Sequence, residues 1–286
     1  MRRIKMLTAT APAKLNLYLH IHGKRADGYH LLESLVVFTE FGDEITSEAD
    51  DGLTLSVQGE FADAAGDDTD NLVLRAAREL QATCNIIQGA RITLSKHIPV
   101  GAGLGGGSAD AAAALKLLCK LWAVIPSRQQ LHAIAETLGA DVAMCLESKP
   151  LIARGVGDEV TLLDQPLQPL HVVLVYPRIH LSTPQVYGRY QHEYTPAQPV
   201  ISTEALIDAL RPTHNQLQRA AISLAPEVAE VLLALSGYPQ AKVVRMCGSG
   251  SSCFALTHDA QSAQRMAQDI MQRYPHWWVK TTATTV

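Results

Sequence analysis

The densest chemistry in this chain lies in one stretch, Pro99-Val-Gly-Ala-Gly-Leu-Gly-Gly-Gly-Ser-Ala-Asp110. Glycine reaches backbone angles closed to other residues and has no side chain to hold a ligand away. The alanine- and leucine-rich run 111–118 follows directly, so the glycines lead into a helix. Backbone N–H groups and the positive end of the helix dipole then converge on one place, which suits an anion and above all a phosphate. A flexible linker is the alternative, but a linker seldom begins at the end of an apolar strand and ends at a helix start. A Walker A loop needs Lys and then Ser or Thr after its last glycine, whereas Gly107 is followed by Ser108 and Ala109. The dinucleotide pattern is present as Gly101, Gly103 and Gly106, yet no Asp or Glu lies between Asp110 and Glu136 to hold a ribose. A nicotinamide-dependent reductase is therefore the weaker reading.

Phosphoryl transfer also requires a base or positioning group for the acceptor oxygen and a cation for the developing charge. Asp141 is the carboxylate that fits: it follows Gly139-Ala140 and stands in a long apolar neighbourhood. A helix cap or turn aspartate would read the same way. The cation is Lys14, which shares a strand face with Asn16.

The elements that must position these groups are legible from periodicity. Thr8–Ala13 and Leu15–His22 read as strands, with Leu15, Leu17, Leu19 and Ile21 on one face and Lys14, Asn16, Tyr18, His20 and His22 on the other. Alternation alone makes that polar side a solvated sheet face. His20 and His22 have no third ligand nearby to suggest a metal. A turn around Asp27-Gly28 precedes the long strand 31–41, and strands continue over 42–45 and 53–57. Residues 61–70 read as an acidic mobile loop, and Asn71 opens a helix to about Gln81. Strand 91–98 carries Lys96 into the glycine loop, helix 110–122 follows it, and Ser127 caps a helix over 129–138. Short strands are expected at 151–154 and 160–163. Two prolines in 166–169 mark the best domain boundary, giving domains 1–166 and 167–286. The second half reads as strand 172–176, helices at 184–190, 203–210 and 217–235, strands 242–246 and 253–257, helix 260–274 and strand 277–281. Its two inner strands flank a second glycine-serine turn, Cys247-Gly-Ser-Gly-Ser-Ser252. That order is the split β-α-β, ferredoxin-like arrangement, so the fold class is α+β.

Composition narrows the function. The 286 residues are 47% hydrophobic and 18% charged, with net charge −4, so the chain is globular and has no bulk attraction for nucleic acid or an anionic membrane. Five scattered cysteines, none in a C-x-x-C, argue for a reducing compartment and against a disulfide framework or zinc site. With no signal-type or membrane-length apolar run, a cytoplasmic location is expected. The expected partner is a small-molecule substrate, with no nucleic acid and no membrane; the oligomeric state is open.

Pro99 through Ala112 resembles the phosphate loop of the GHMP small-molecule kinases. The stretches Ala11-Pro-Ala-Lys-Leu-Asn-Leu17, Arg25-Ala-Asp-Gly-Tyr-His30, Gly139-Ala-Asp-Val142 and Met246-Cys-Gly-Ser-Gly-Ser251 extend the likeness over nearly the whole chain. They are similar to those of the member that acts in the non-mevalonate isoprenoid route. The resemblance implies a two-domain GHMP kinase fold and ATP-dependent phosphorylation of the tertiary 2-hydroxyl of a cytidine diphosphate-linked methylerythritol. It implies Asp141 as base and Lys14 as the orienting cation, with Asn16 at the sugar-alcohol end. Tyr29 and His30 would take the cytidine, helped by Tyr187 and Thr183. For ATP it implies Asn71 and Lys96 at the adenosine, and Pro99, Gly101, Gly103, Leu104, Gly105, Gly106, Gly107, Ser108 and Ala109 around the phosphates. Mg2+ is the implied companion ion, with Ser108 assisting around it, and Gly248–Gly250 form a turn that closes on the site. Without the resemblance, Tyr29 and Tyr187 read as half-buried surface aromatics and Lys96 as an ordinary strand lysine. Two positions depart from the family pattern: Asp110 where asparagine is common, and Ala143 where many relatives have proline.

Overall fold

A computed structural model describes residues 6–66, 70–191, 194–195 and 205–285. Two compact units result, and they are interleaved in the chain. The first holds the chain up to Ala13, Gly42–Val100 and Gly105–Ser148; the second holds Lys14–Phe41, Gly101–Leu104 and Lys149 onward. The boundary expected at 166–169 falls inside the second unit, because β1 (Leu7–Lys24) and β2 (His30–Asp50) each contribute to both units. The strands expected at 8–13 and 15–22 are this single strand β1, which runs through Pro12 without a break.

The first unit continues with β3 (Leu53–Gln58), α1 (Ala62–Ala65), α2 (Leu72–Cys84), β4 (Gly89–Ser95), α3 (Gly106–Leu121), α4 (Arg128–Leu138) and α5 (Ala140–Glu147). β4 runs antiparallel to the Glu44–Asp50 end of β2 and parallel to β3. In α3 the buried residues include Ala109 and Ala111 through Ala114, small side chains that let α2 and α5 approach closely. Ser127 caps α4 as expected, and Gln130 closes a reciprocal capping box with it. The apolar segment after Gly139 is helix α5, with Asp141 in its first turn. The loop expected over 61–70 contains the short helix α1, and its positions 67–69 lie outside the described residues.

In the second unit, β5 (Leu151–Arg154) pairs antiparallel with Ser34–Val36 of β2, and β6 (Glu159–Leu162) pairs with β5. Then come β7 (His171–Tyr176), α6 (Thr183–Gly188), α7 (Leu206–Leu210), α8 (Gln218–Leu224), α9 (Glu227–Ser236), β8 (Val243–Met246), β9 (Cys253–Thr257), α10 (Ala260–Arg273) and β10 (Trp278–Ala283). The order β10-β7-β9-β8, antiparallel throughout, is the ferredoxin-like sheet. The helix expected over 217–235 is two helices. Pro226 has no N–H to continue the ladder, and Ala225 before it is extended at φ −142°. Of the helix expected from 203, positions 203 and 204 lie outside the described residues.

The polar side of β1 is not a solvated face. Lys14, Asn16, Tyr18 and His20 are all 5% exposed or less, as are Leu15, Leu17, Leu19 and Ile21 behind them. A strand covered on both sides must satisfy its polar side chains internally, so alternation here marks a site rather than solvent.

A second buried polar group fixes the start of α3. Lys96, at the exit of β4, is 2% exposed, and its ammonium is held by Asp43 of β2 and by Asp110 at 2.7 Å. Asp43 also accepts the backbone N–H groups of His97 and Ile98, so one carboxylate sets the direction in which the chain leaves the strand. A side-chain carbon on Gly106 would come within 2.8 Å of the Lys96 ammonium. Burial works to lower the Lys96 pKa, but Asp110 and Asp43 outweigh it and raise it. Burial pushes the Asp110 carboxyl up to about 8 against the pull of Lys96. Removing the shared cation would leave two buried acids facing each other. Lys96→Met should therefore cost about 3–5 kcal/mol in urea unfolding at neutral pH; a loss below about 1 kcal/mol would show that the cluster does not hold this unit.

Candidate active site

Of the residues expected at the acceptor end, Lys14 and Asn16 lie in the second unit. Lys14 Nζ donates to Asn16 Oδ1 at 2.6 Å, Asn16 Nδ2 donates to Ser34 Oγ at 2.8 Å, and Ser34 Oγ donates to the Tyr18 carbonyl at 2.5 Å. This relay fixes which way the Asn16 amide points, with its oxygen toward the lysine. Behind it Tyr18 donates to Glu33 at 3.1 Å, and Arg154 donates to the other oxygen of Glu33 at 2.9 Å. Burial, with the Glu33 carboxylate beside it, raises the Tyr18 pKa, so its phenol stays a donor.

His30 opens β2 and is 8% exposed, with the Tyr187 ring 5.3 Å away and the Tyr190 ring edge-on at 5.6 Å. Burial, and then the nearby Lys24 ammonium, hold the His30 imidazole below its ordinary pKa, so it is neutral at pH 7 and keeps one accepting nitrogen. Tyr29 beside it in the chain is 64% exposed, on a turn whose backbone is tied to Asp27. Thr183 shares a hydrogen bond of 2.8 Å with Ser249.

The two glycine turns meet within this unit. Gly103 has φ +81°, and a side-chain carbon there would strike the Cys247 carbonyl and lie 3.0 Å from the Gly250 nitrogen. The contact is closed by a hydrogen bond from Ser252 N–H to the Ala102 carbonyl at 3.1 Å. The Leu104 carbonyl accepts from Lys14 N–H at 2.9 Å, which ties the first turn to β1. Gly101 has no room for a side chain either, because the His180 imidazole fills that space.

Of the residues expected around the phosphates, Pro99 and Gly105 through Ala109 lie in the first unit, and Gly101, Gly103 and Leu104 in the second. Helix α3 begins after Gly105, which is left-handed and makes no side-chain cap, so the N–H groups of Gly106, Gly107 and Ser108 are not covered by a capping side chain. Gly107 is exposed and Pro99 and Ala109 are buried. Such an open, glycine-lined start to a long helix is suited to phosphate oxygens. Asn71 caps α2 by accepting from Val73 N–H at 2.9 Å, and its amide donates to the Gly66 carbonyl at 2.7 Å. Lys96 is engaged by its two carboxylates. Both residues expected at the adenosine thus have side chains committed to the protein. Asp141 is half-buried in the first turn of α5, where negative charge is favourable. Among the described residues no group of three or more His, Cys, Asp or Glu could hold a metal ion, and no helix is long and apolar enough to cross a membrane.

Sequence reasoning missed Ser34, Asp43, Tyr190 and Ser249. Ser249 stood inside the second glycine-serine turn and could have been read from it. Asp43 follows Gly42 in an ordinary-looking strand, and its partners are 53–55 residues away, so nothing local marks it.

Two family models match the chain: the GHMP kinases N terminal domain over residues 71–149 and the GHMP kinases C terminal over 202–276. A 4-diphosphocytidyl-2-C-methyl-D-erythritol kinase of Roseobacter denitrificans is 41% identical, covering 95% of this chain and 91% of the relative. One of Cereibacter sphaeroides is 43% identical over 96% and 98%. A crystal structure of 4-(cytidine 5'-diphospho)-2C-methyl-D-erythritol kinase superposes with a TM-score of 0.83 at 35% identity, covering 98% of this chain and all of that one. Homoserine kinase from Cytophaga hutchinsonii shares the fold at a TM-score of 0.73 and 20% identity. With likeness along almost the entire length, and both glycine turns in place, the chain belongs to the 4-diphosphocytidyl-2-C-methyl-D-erythritol kinase family of the GHMP kinases.

Proposed function

We propose that this enzyme transfers the γ-phosphoryl group of ATP to the 2-hydroxyl of 4-diphosphocytidyl-2-C-methyl-D-erythritol. The observation that carries the reading is the buried Lys14–Asn16 pair on β1, a desolvated cation oriented by a neutral amide. In low dielectric such a cation stabilises developing oxyanion charge far better than it would in water. The near full-length identity to relatives of that name supplies the substrate.

Each residue has a defined task in this scheme. Asp141 accepts the proton of the attacking alcohol, and Lys14 orients that oxygen and steadies its charge. Asn16 hydrogen-bonds the methylerythritol hydroxyls while Ser34 holds its amide in place. Tyr29 and Tyr187 supply aromatic surface for the cytosine. The neutral His30 imidazole can accept from the cytosine amino group, a donor that uracil lacks. Thr183, paired with Ser249, adds a hydroxyl at the same end. The N–H groups of Gly106, Gly107 and Ser108 receive the ATP phosphates, with the preceding glycines shaping the approach. ATP supplies the phosphoryl group when bound, and Mg2+ neutralises its charge. Ser108 at the start of α3 would assist in holding that ion. Asp110 faces Lys96 and serves the helix start rather than the ion.

Kinetics of two variants separate these roles. Asp141→Asn should lower kcat by about 10²–10⁴-fold while both KM values stay within several-fold, the pattern of a lost proton acceptor. Tyr29→Ala should raise the KM for the cytidylyl substrate by about 5- to 100-fold, the value of one base–aromatic stack, and leave the KM for ATP unchanged. Near-normal kcat in the first variant removes Asp141 as base; an equal rise of both KM values in the second removes Tyr29 from the cytidine end.

A further inference from the structure

We infer that Asn215 is a positioning residue for phosphoryl transfer, acting by holding the second glycine turn against Lys14 and Asn16. The inference rests on the reading of Lys14 as the orienting cation.

Asn215 lies between α7 and α8 and is 4% exposed. Its amide nitrogen donates twice, to the Met246 carbonyl at 2.9 Å and to the Gly248 carbonyl at 2.7 Å, and its oxygen accepts from Leu217 N–H at 3.0 Å. Both donors of the side chain are thus used on the backbone at the entry to the turn. The anchor is itself fixed. Leu19 N–H donates to the His214 carbonyl at 3.1 Å and Gln216 N–H to the Leu19 carbonyl at 2.9 Å, which binds the Asn215 backbone alongside β1. Arg245, 5% exposed, reinforces the same junction by donating to the carbonyls of Leu17, Leu210 and Thr213.

What Asn215 holds lies directly on the reacting end. Gly248 has φ +49°, and a side-chain carbon at that position would come 3.2 Å from Lys14 Nζ, 3.3 Å from Asn16 Oδ1 and 2.8 Å from the Gly103 carbonyl. The turn is therefore in near contact with the lysine and with the first glycine turn at once. A turn carbonyl that swung toward the ammonium would be a ready alternative acceptor. Asn215 directs the Gly248 carbonyl to its own amide, and the Lys14 ammonium keeps its orientation toward Asn16 Oδ1. Loss of the two donations frees the turn to rotate toward Lys14, a displacement that matters because transfer depends on sub-ångström alignment.

Asn215→Asp keeps the volume and the acceptor for Leu217 N–H but removes both donors. With ATP, Mg2+ and 4-diphosphocytidyl-2-C-methyl-D-erythritol, it is expected to lose kcat by about 30-fold or more, with both KM values within about threefold. Val231→Ala, a core substitution in α9 away from the turn, controls for lost stability and is expected to keep kcat per folded molecule. A kcat within threefold of wild type in the folded Asn215→Asp protein overturns the inference, as does a rise in KM with kcat intact. If the aspartate does not fold, Asn215→Ser carries the same test without the buried charge, and unchanged kcat there overturns the inference equally. Lys14→Met separates the two layers. If it retains turnover, the role of Lys14 itself is wrong; if it is inactive while Asn215→Asp is fully active, only the positioning role fails.

Discussion

The closest constraint in the second unit is backbone against backbone, where the turn at Gly103 meets the turn at Cys247–Gly250. No side chain fits between them, and the Ala102 carbonyl is satisfied by Ser252 N–H. The first turn leads into α3 and the second rests on Lys14 and Asn16, so the geometry of each is set partly by the other. Glycine is required here for proximity as much as for its dihedral range. Flexible side chains at such positions would have to be displaced before either turn could close.

Two buried lysines show how the same cost is met for different ends. Lys96 sits between Asp43 and Asp110, and its charge is neutralised by carboxylates, which makes it a structural bolt beneath Gly106. Lys14 donates to the Asn16 amide oxygen, which fixes the direction of its ammonium. Desolvating a cation is expensive in either case. The departure at Asp110 belongs to the first kind. Its buried carboxyl faces the Lys96 ammonium at 2.7 Å.

Much of this was legible in the sequence, because the informative residues are punctuation or short motifs. The glycine loop announced a tight turn into a helix, Ser127 announced a capped helix, and the strand–helix order of the second half announced its sheet. Periodicity could place Lys14 and Asn16 on one face of β1 but not say what covers that face, since burial depends on strands and turns far along the chain. Asp43 and Asn215 escaped notice for the same reason: each works through partners tens of residues away. Pro226, by contrast, was visible and was underweighted against the apolar run around it. The proline pair in 166–169 marked a connection within a unit, because composition records where the chain turns and not which long strands serve two units.

The most direct test is a coupled ADP-release assay with ATP and Mg2+, offering 4-diphosphocytidyl-2-C-methyl-D-erythritol, mevalonate, homoserine and galactose in parallel. Acceptor-dependent release with the cytidylyl substrate alone is the predicted result. Release with one of the other alcohols, and none with the cytidylyl substrate, would contradict the assignment of the acceptor end while leaving the phosphate cradle in place.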